Sequence, residues 1–119
     1  MTARLCWGSL LLAWMGLAAA VRPKDAPPPW EKPLMAGRSL YLEHCSVCHE
    51  INRPGRSRKL GPNLYRLLQN PKLPFSGGKP SREFVATKIK LGGPIMPAFG
   101  GRLTDEQVEK LIAFIRSKQ

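Results

Sequence analysis

The sequence predicts an all-α domain, and three observations carry that prediction. Toward the C-terminus, Thr104-Asp105-Glu106-Gln107 has the spacing of a capping box, in which threonine hydroxyl and glutamine amide satisfy each other's end amides. Val108, Leu111, Ile112 and Ile115 follow at i, i+3, i+4 and i+7, so they form one apolar stripe. Earlier, Gly37, Tyr41, His44 and Cys48 recur at about helical spacing, with Leu40 and Cys45 beside them. No stretch alternates as a half-buried strand does, and no internal repeat is present.

Taken in order, residues 1–20 read as a secretory signal peptide. Arg4 supplies a short basic start, residues 5–17 are mostly apolar, and Ala18-Ala19-Ala20 is a small-residue cleavage site before Val21. The apolar run falls short of the ~20 residues that span a bilayer, which favours cleavage over an anchor and predicts no stable membrane insertion afterwards. Residues 21–35 hold Pro27-Pro28-Pro29 and read as an extended, semi-rigid arm, with Trp30 expected to pack on the domain edge. Residues 36–119 are enough for one domain.

Within that domain the first helix is expected to begin near residues 34–37 and run to the cysteines. A glycine inside it, Gly37, costs about 1 kcal/mol relative to alanine, which calls for the close approach of another helix. The last helix is the candidate, with Arg116 and Lys118 in its final turn where cations suit the helix dipole. Between the two, residues 53–59 form a basic loop with Pro54 and Gly55, and residues 62–69 a short helix with Leu64, Leu67 and Leu68 inward. Residues 70–79 read as loop. Ser81 is placed to cap a helix that reaches Leu91 and buries Phe84, Val85 and either Ile89 or Leu91.

The chemistry is concentrated in Cys45-Ser46-Val47-Cys48-His49. This C-x-x-C-H run is the attachment signal of a c-type haem. Helical i and i+3 positions share a face, so both thiols can meet one porphyrin edge while the next residue offers an imidazole to the iron. A thioredoxin-like thiol pair has no use for the histidine, and a zinc site of Cys45, Cys48 and His44 or His49 lacks a second ligand pair. Cys6 would leave with the signal, so no disulfide framework remains in the mature chain.

The second axial position needs a ligand, and Met96 is the best candidate. It sits in Gly92-Gly93-Pro94-Ile95-Met96-Pro97-Ala98-Phe99-Gly100, where a residue before proline is biased to extended backbone and glycines allow close approach to the ring. A thioether ligand raises the potential. Met35 and His44 compete, but Met35 precedes the helix and His44 lies beside the motif, so neither reaches the far side of the ring easily. Filling a core gap is the alternative role for Met96.

On Gly37 and Tyr41, the C-x-x-C-H run, Gly61-Pro62-Asn63-Leu64, Met96-Pro97, and Leu111 with Phe114, the chain resembles the class I (mitochondrial and bacterial) cytochrome c family. The resemblance implies terminal helices that cross, with Gly37 and Tyr41 against Leu111 and Phe114, and short helices and loops wrapping one covalent haem c. It implies that His49 and Met96 ligate the iron and that the Pro62 carbonyl accepts a hydrogen bond from the free imidazole nitrogen of His49. Two departures stand out: Glu50 follows the motif where glycine is common, and the basic insert before Gly61 has no obvious counterpart.

The formal charge of +11 suggests an acidic partner. No nucleic-acid motif is present, and an exported protein seldom meets nucleic acid. The expected function is therefore that of a soluble, monomeric periplasmic electron carrier, not an enzyme, that meets acidic redox partners such as a dehydrogenase donor and an oxidase acceptor. Its cationic rim would draw on Arg53, Arg56, Arg58, Lys59, Lys72, Lys79, Lys88, Lys90 and Arg102. A dedicated cytochrome subunit of a periplasmic dehydrogenase, tethered by the arm, is the alternative. A ligand-binding sensor or peroxide-reactive site is a third class and requires that Met96 leave the iron.

Overall fold

A computed structural model describes residues 28–73 and 77–119 of the chain. The expected signal peptide and residues 21–27 of the expected arm lie outside the described residues. Among those described there are three α-helices, α1 (Glu31–His44), α2 (Arg82–Leu91) and α3 (Asp105–Arg116), a short 3-10 helix at Leu67–Gln69, and no strand. The all-α expectation holds.

α1 begins three to six residues earlier than its sequence pattern suggested, inside the span assigned to the arm, whose end moves from residue 35 to Trp30. Pro33 is compatible with this because the first-turn amides of a helix have no intrahelical partner to lose. Trp30 is 67% exposed, so it does not pack on the domain edge as expected. α2 and α3 start where their caps predicted. The Ser81 side chain accepts a hydrogen bond from the Phe84 amide, and both halves of the Thr104/Gln107 capping box are formed.

α1 packs chiefly on α3, and α2 and the 3-10 helix lean on α3 as well. The stripe residues Val108, Leu111, Ile112 and Ile115 are all buried, Leu111 completely. Each such side chain contributes roughly 1.5–3 kcal/mol by leaving water. Gly37 explains itself here. A Cβ on it would lie 2.8 Å from Phe114 Cβ and closer still to the Lys110 carbonyl, so only glycine lets the helix backbones meet. One turn on, the Tyr41 and Phe114 rings pack with centroids 5.6 Å apart. Phe84 is only partly buried and Leu91 is exposed, which leaves Val85 and Ile89 as the buried face of α2.

The helix expected over residues 62–69 shrinks to one 3-10 turn. Two long-range demands pull its first half straight: the Leu64 amide donates to the Glu50 carbonyl at 2.7 Å, and the Pro62 carbonyl is engaged by His49. Arg66 then takes left-handed backbone at φ 53°, which breaks any regular helix before Leu67. Leu64 and Leu67 are nevertheless buried and Leu68 is partly so, as the apolar spacing implied.

Candidate haem site

The attachment motif occupies the turn that continues α1, not the helix itself. Cys45 is the C-terminal cap, its amide donating to the Tyr41 carbonyl. The amides of Cys48 and His49 both donate to the Cys45 carbonyl, at 3.1 and 2.9 Å. One more turn of helical sense is therefore kept after the regular helix stops, and it preserves the i, i+3 relation of the two thiols. Cys45 is buried and Cys48 half-buried, and they are not joined to each other.

Burial and the neighbouring Cys48 push the Cys45 thiol up to about 11. A redox-active thiol pair needs the reverse, a thiol made acidic by nearby positive charge. Among the described residues no group of three or more His, Cys, Asp or Glu is placed to hold a metal ion. Both competing readings of the cysteines lose their support.

His49 is the buried polar residue of the core. Its Nδ1 lies 2.8 Å from the Pro62 carbonyl oxygen. A carbonyl only accepts, so Nδ1 carries the proton and the lone pair is left on Nε2, the tautomer an axial ligand needs. Two features that the sequence reading did not assign hold this ring. The Tyr41 hydroxyl donates to the His49 backbone carbonyl at 2.6 Å, and burial together with Cys45 and Glu50 pushes that phenol up, which keeps it a donor. Gly61 lies flat against the imidazole: a Cβ there would sit 2.6 Å from Nδ1 and 2.9 Å from the Cys48 carbonyl. The signal was present in Gly61-Pro62, where the glycine adjoins the residue that orients the ring.

Met96 comes from a separate loop after α2. It is half-buried and packs against the apolar core. Gly92 turns the chain out of α2 at φ 69°, and a Cβ there would crowd the backbone of residues 96–98, so glycine is required twice over. The Gly93 amide donates to the Met96 carbonyl at 2.8 Å, which closes the loop on itself. Its rivals are placed elsewhere. Met35 is 55% exposed, and the His44 ring stacks against Phe99 with centroids 5.8 Å apart.

The cysteine pair, the oriented imidazole and the half-buried thioether all fit a covalently attached haem, and comparison with known proteins decides the family. The profile described as Cytochrome C oxidase, cbb3-type, subunit III matches residues 32–115. The chain belongs to the c-type cytochromes. It is 31% identical to a cytochrome c6 of Gracilaria tenuistipitata var. liui over 71% of this chain and 72% of that protein. A cytochrome c6 of Microcystis aeruginosa is 32% identical over 66% of this chain and 89% of that one. The crystal structure of the c-type cytochrome SorU from Sinorhizobium meliloti superposes with a TM-score of 0.53 at 30% identity, covering 73% of this chain and 91% of that one.

As a class I c-type cytochrome, this protein carries covalent haem c and acts as an electron carrier, not an enzyme, and so it has redox partners. Among the described residues no helix is long and apolar enough to cross a membrane. The expected cationic rim is not uniform. Lys90 is paired with Asp105 at 2.7 Å, and the Lys88 ammonium donates to the Gly92 carbonyl at 3.3 Å. Arg53 is paired with Glu50 at 2.9 Å, and that guanidinium holds the Glu50 carboxyl below its ordinary range. Arg56, Arg58 and Lys59 form no ion pair among the described residues.

Proposed function

We propose that the protein is a soluble periplasmic shuttle that moves one electron at a time between acidic redox partners. Cys45 and Cys48 would form the two thioethers, and His49 and Met96 would be the axial ligands. When bound, the haem supplies a reversible one-electron couple. The chain does the rest. Pro62 and Gly61 orient the imidazole and fix its tautomer, and the 92–98 loop presents the methionine. The apolar core keeps water from the haem, and basic side chains steer encounter more than they add affinity. The observation that carries the reading is the His49–Pro62 hydrogen bond, because a buried imidazole held by one nitrogen has its other nitrogen free for a metal. An optical spectrum with a redox titration tests it: a low-spin spectrum with a thioether-to-iron band and one reversible step is expected. Fractionation of the native host should place the mature chain, lacking residues 1–20, in the periplasm as a monomer.

A second reading, a cytochrome subunit held on a dehydrogenase, draws support from one similarity. The chain is 30% identical to the gluconate 2-dehydrogenase cytochrome c subunit of Pantoea cypripedii, over 67% of this chain but only 19% of that protein. Co-purification with a dehydrogenase through a high-salt wash would favour it over the shuttle.

A further inference from the structure

α1 and α2 both pack chiefly on α3, so a direct tie between the attachment turn and the methionine loop has to come from side chains. One such tie is present. His44 is the last residue of α1 and the immediate neighbour of Cys45, and its ring lies against Phe99 with centroids 5.8 Å apart and planes inclined by 55°. A tilted arrangement at this separation is one that aromatic pairs favour. The His44 Nε2 atom is 3.6 Å from Glu43 Oε1, with the histidine side chain 22% exposed and the glutamate 71%. The polar edge of the ring therefore turns toward an exposed acid, and its apolar part is left to pack inward.

Phe99 is itself firmly held. It is 6% exposed, its amide donates to the Ile89 carbonyl at 3.0 Å, and its own carbonyl accepts from the Arg102 and Leu103 amides, both at 2.9 Å. Gly100 then runs so close to α2 that a Cβ on it would sit 3.0 Å from the Lys90 carbonyl. Phe99 follows Met96 by three residues, a reach of at most about 10 Å. The near end of the methionine loop is closed by the Gly93–Met96 bond. Its far end is closed at Phe99, and through Phe99 it meets the residue that precedes the attachment motif. His44, a rival ligand by sequence, thus bears on the methionine loop in another way.

We propose that His44 is a positioning residue for Met96: its ring latches the far end of the 92–99 loop to the attachment turn and so sets how often the methionine withdraws from the iron. The inference rests on the reading of Met96 as axial ligand. An outside ligand can bind only when the loop is open, so its apparent affinity scales with the open fraction. An aromatic pair made only in the closed state lowers that fraction by about two- to tenfold.

The test titrates the haem-loaded, oxidised protein with imidazole and follows loss of the thioether-to-iron band. His44→Ala should tighten apparent imidazole binding by about two- to tenfold, whereas His44→Phe, which keeps the aromatic pair, should stay within about twofold of the parent. In a Phe99→Leu background the effect of His44→Ala should vanish, since the two rings act as one unit. Gly37→Ala controls for general loosening. It weakens the helix crossing without touching either ring, so its denaturant midpoint should fall while imidazole binding changes by less than about twofold. Unchanged binding in His44→Ala would overturn the latch. So would failure of His44→Phe to restore it, equal tightening in Gly37→Ala, or an undiminished effect in the Phe99→Leu background. A parent protein that lacks the thioether-to-iron band would instead overturn Met96 as ligand, and the latch with it.

Discussion

The two sides of the proposed haem site are built by different means. On the His49 side, bonds come from far along the chain: Tyr41 holds the backbone of His49, Pro62 holds its ring, and Gly61 packs flat against that ring. On the Met96 side, the loop is closed by bonds near it in sequence: the Gly93–Met96 backbone bond, the turn at Gly92, and the Phe99 and Gly100 amides donating back to the Ile89 and Lys90 carbonyls of α2. His49 is 9% exposed, whereas Ile95, next to Met96, is 69% exposed. A side chain held from two separate segments, α1 at Tyr41 and the Gly61-Pro62 run, has one position. A loop closed by local bonds can open at lower cost, because local opening releases few buried contacts. The histidine side is therefore the rigid reference, and the methionine side is where the site yields.

The largest effect should come from removing the attachment itself. Cys45→Ala with Cys48→Ala is expected to abolish covalent haem and most of the folded population, because a chain of this size depends on the cofactor to complete its core. Denaturing gels stained for haem, with circular dichroism, check it. A stable helical apoprotein would mean the helix crossing alone suffices.

Next come substitutions that set the two sides against each other. Met96→Ala should cost about 2 kcal/mol, lower the potential and let carbon monoxide or imidazole bind, while leaving the His49 ring signals in place. If Met35→Ala produces these changes and Met96→Ala does not, the ligand is on α1. Gly61→Ala should act on the rigid side. Its methyl must displace the imidazole from Pro62 or strain the backbone, at about 1–3 kcal/mol, with altered axial-histidine resonances by NMR. An alanine variant with unchanged resonances would show that the histidine side is softer than its packing implies.

Gly37→Ala should lower stability by about 1–3 kcal/mol through separation of α1 from α3, read from denaturant midpoints, with little change in potential. It tests whether the rigidity at His49 begins at the helix crossing. The smallest effect is electrostatic. The Glu50 carboxyl is held below its ordinary value of 4.5 by Arg53. Its contribution to stability is thus present above that value and lost as pH falls through the depressed folded value. Glu50→Gln should therefore lower stability slightly at neutral pH and flatten the acid side of the profile, so that variant and parent converge at low pH. Identical profiles at neutral pH would mean that the pair with Arg53 adds nothing to stability.

What could be read from the sequence were features set by near neighbours along the chain. The Ser81 and Thr104 caps, the α3 stripe and the C-x-x-C-H run are patterns of three or four residues' reach, so the chain declares them locally. Met96 stood out through its glycine- and proline-framed loop, whereas Pro62 was legible only through resemblance to a family, since no local rule ties residue 62 to residue 49. Tertiary contacts settled the remainder. The Glu50 and His49 bonds straightened residues 62–64 against their helical spacing, and Gly61 acquired its role only when the imidazole came to rest on it. The sequence showed nine candidate rim cations alike. The fold distinguished them by bringing Asp105 to Lys90 and Glu50 to Arg53 while giving Arg56 and Arg58 no acid, because ion pairing depends on distance in space and composition records only the sum.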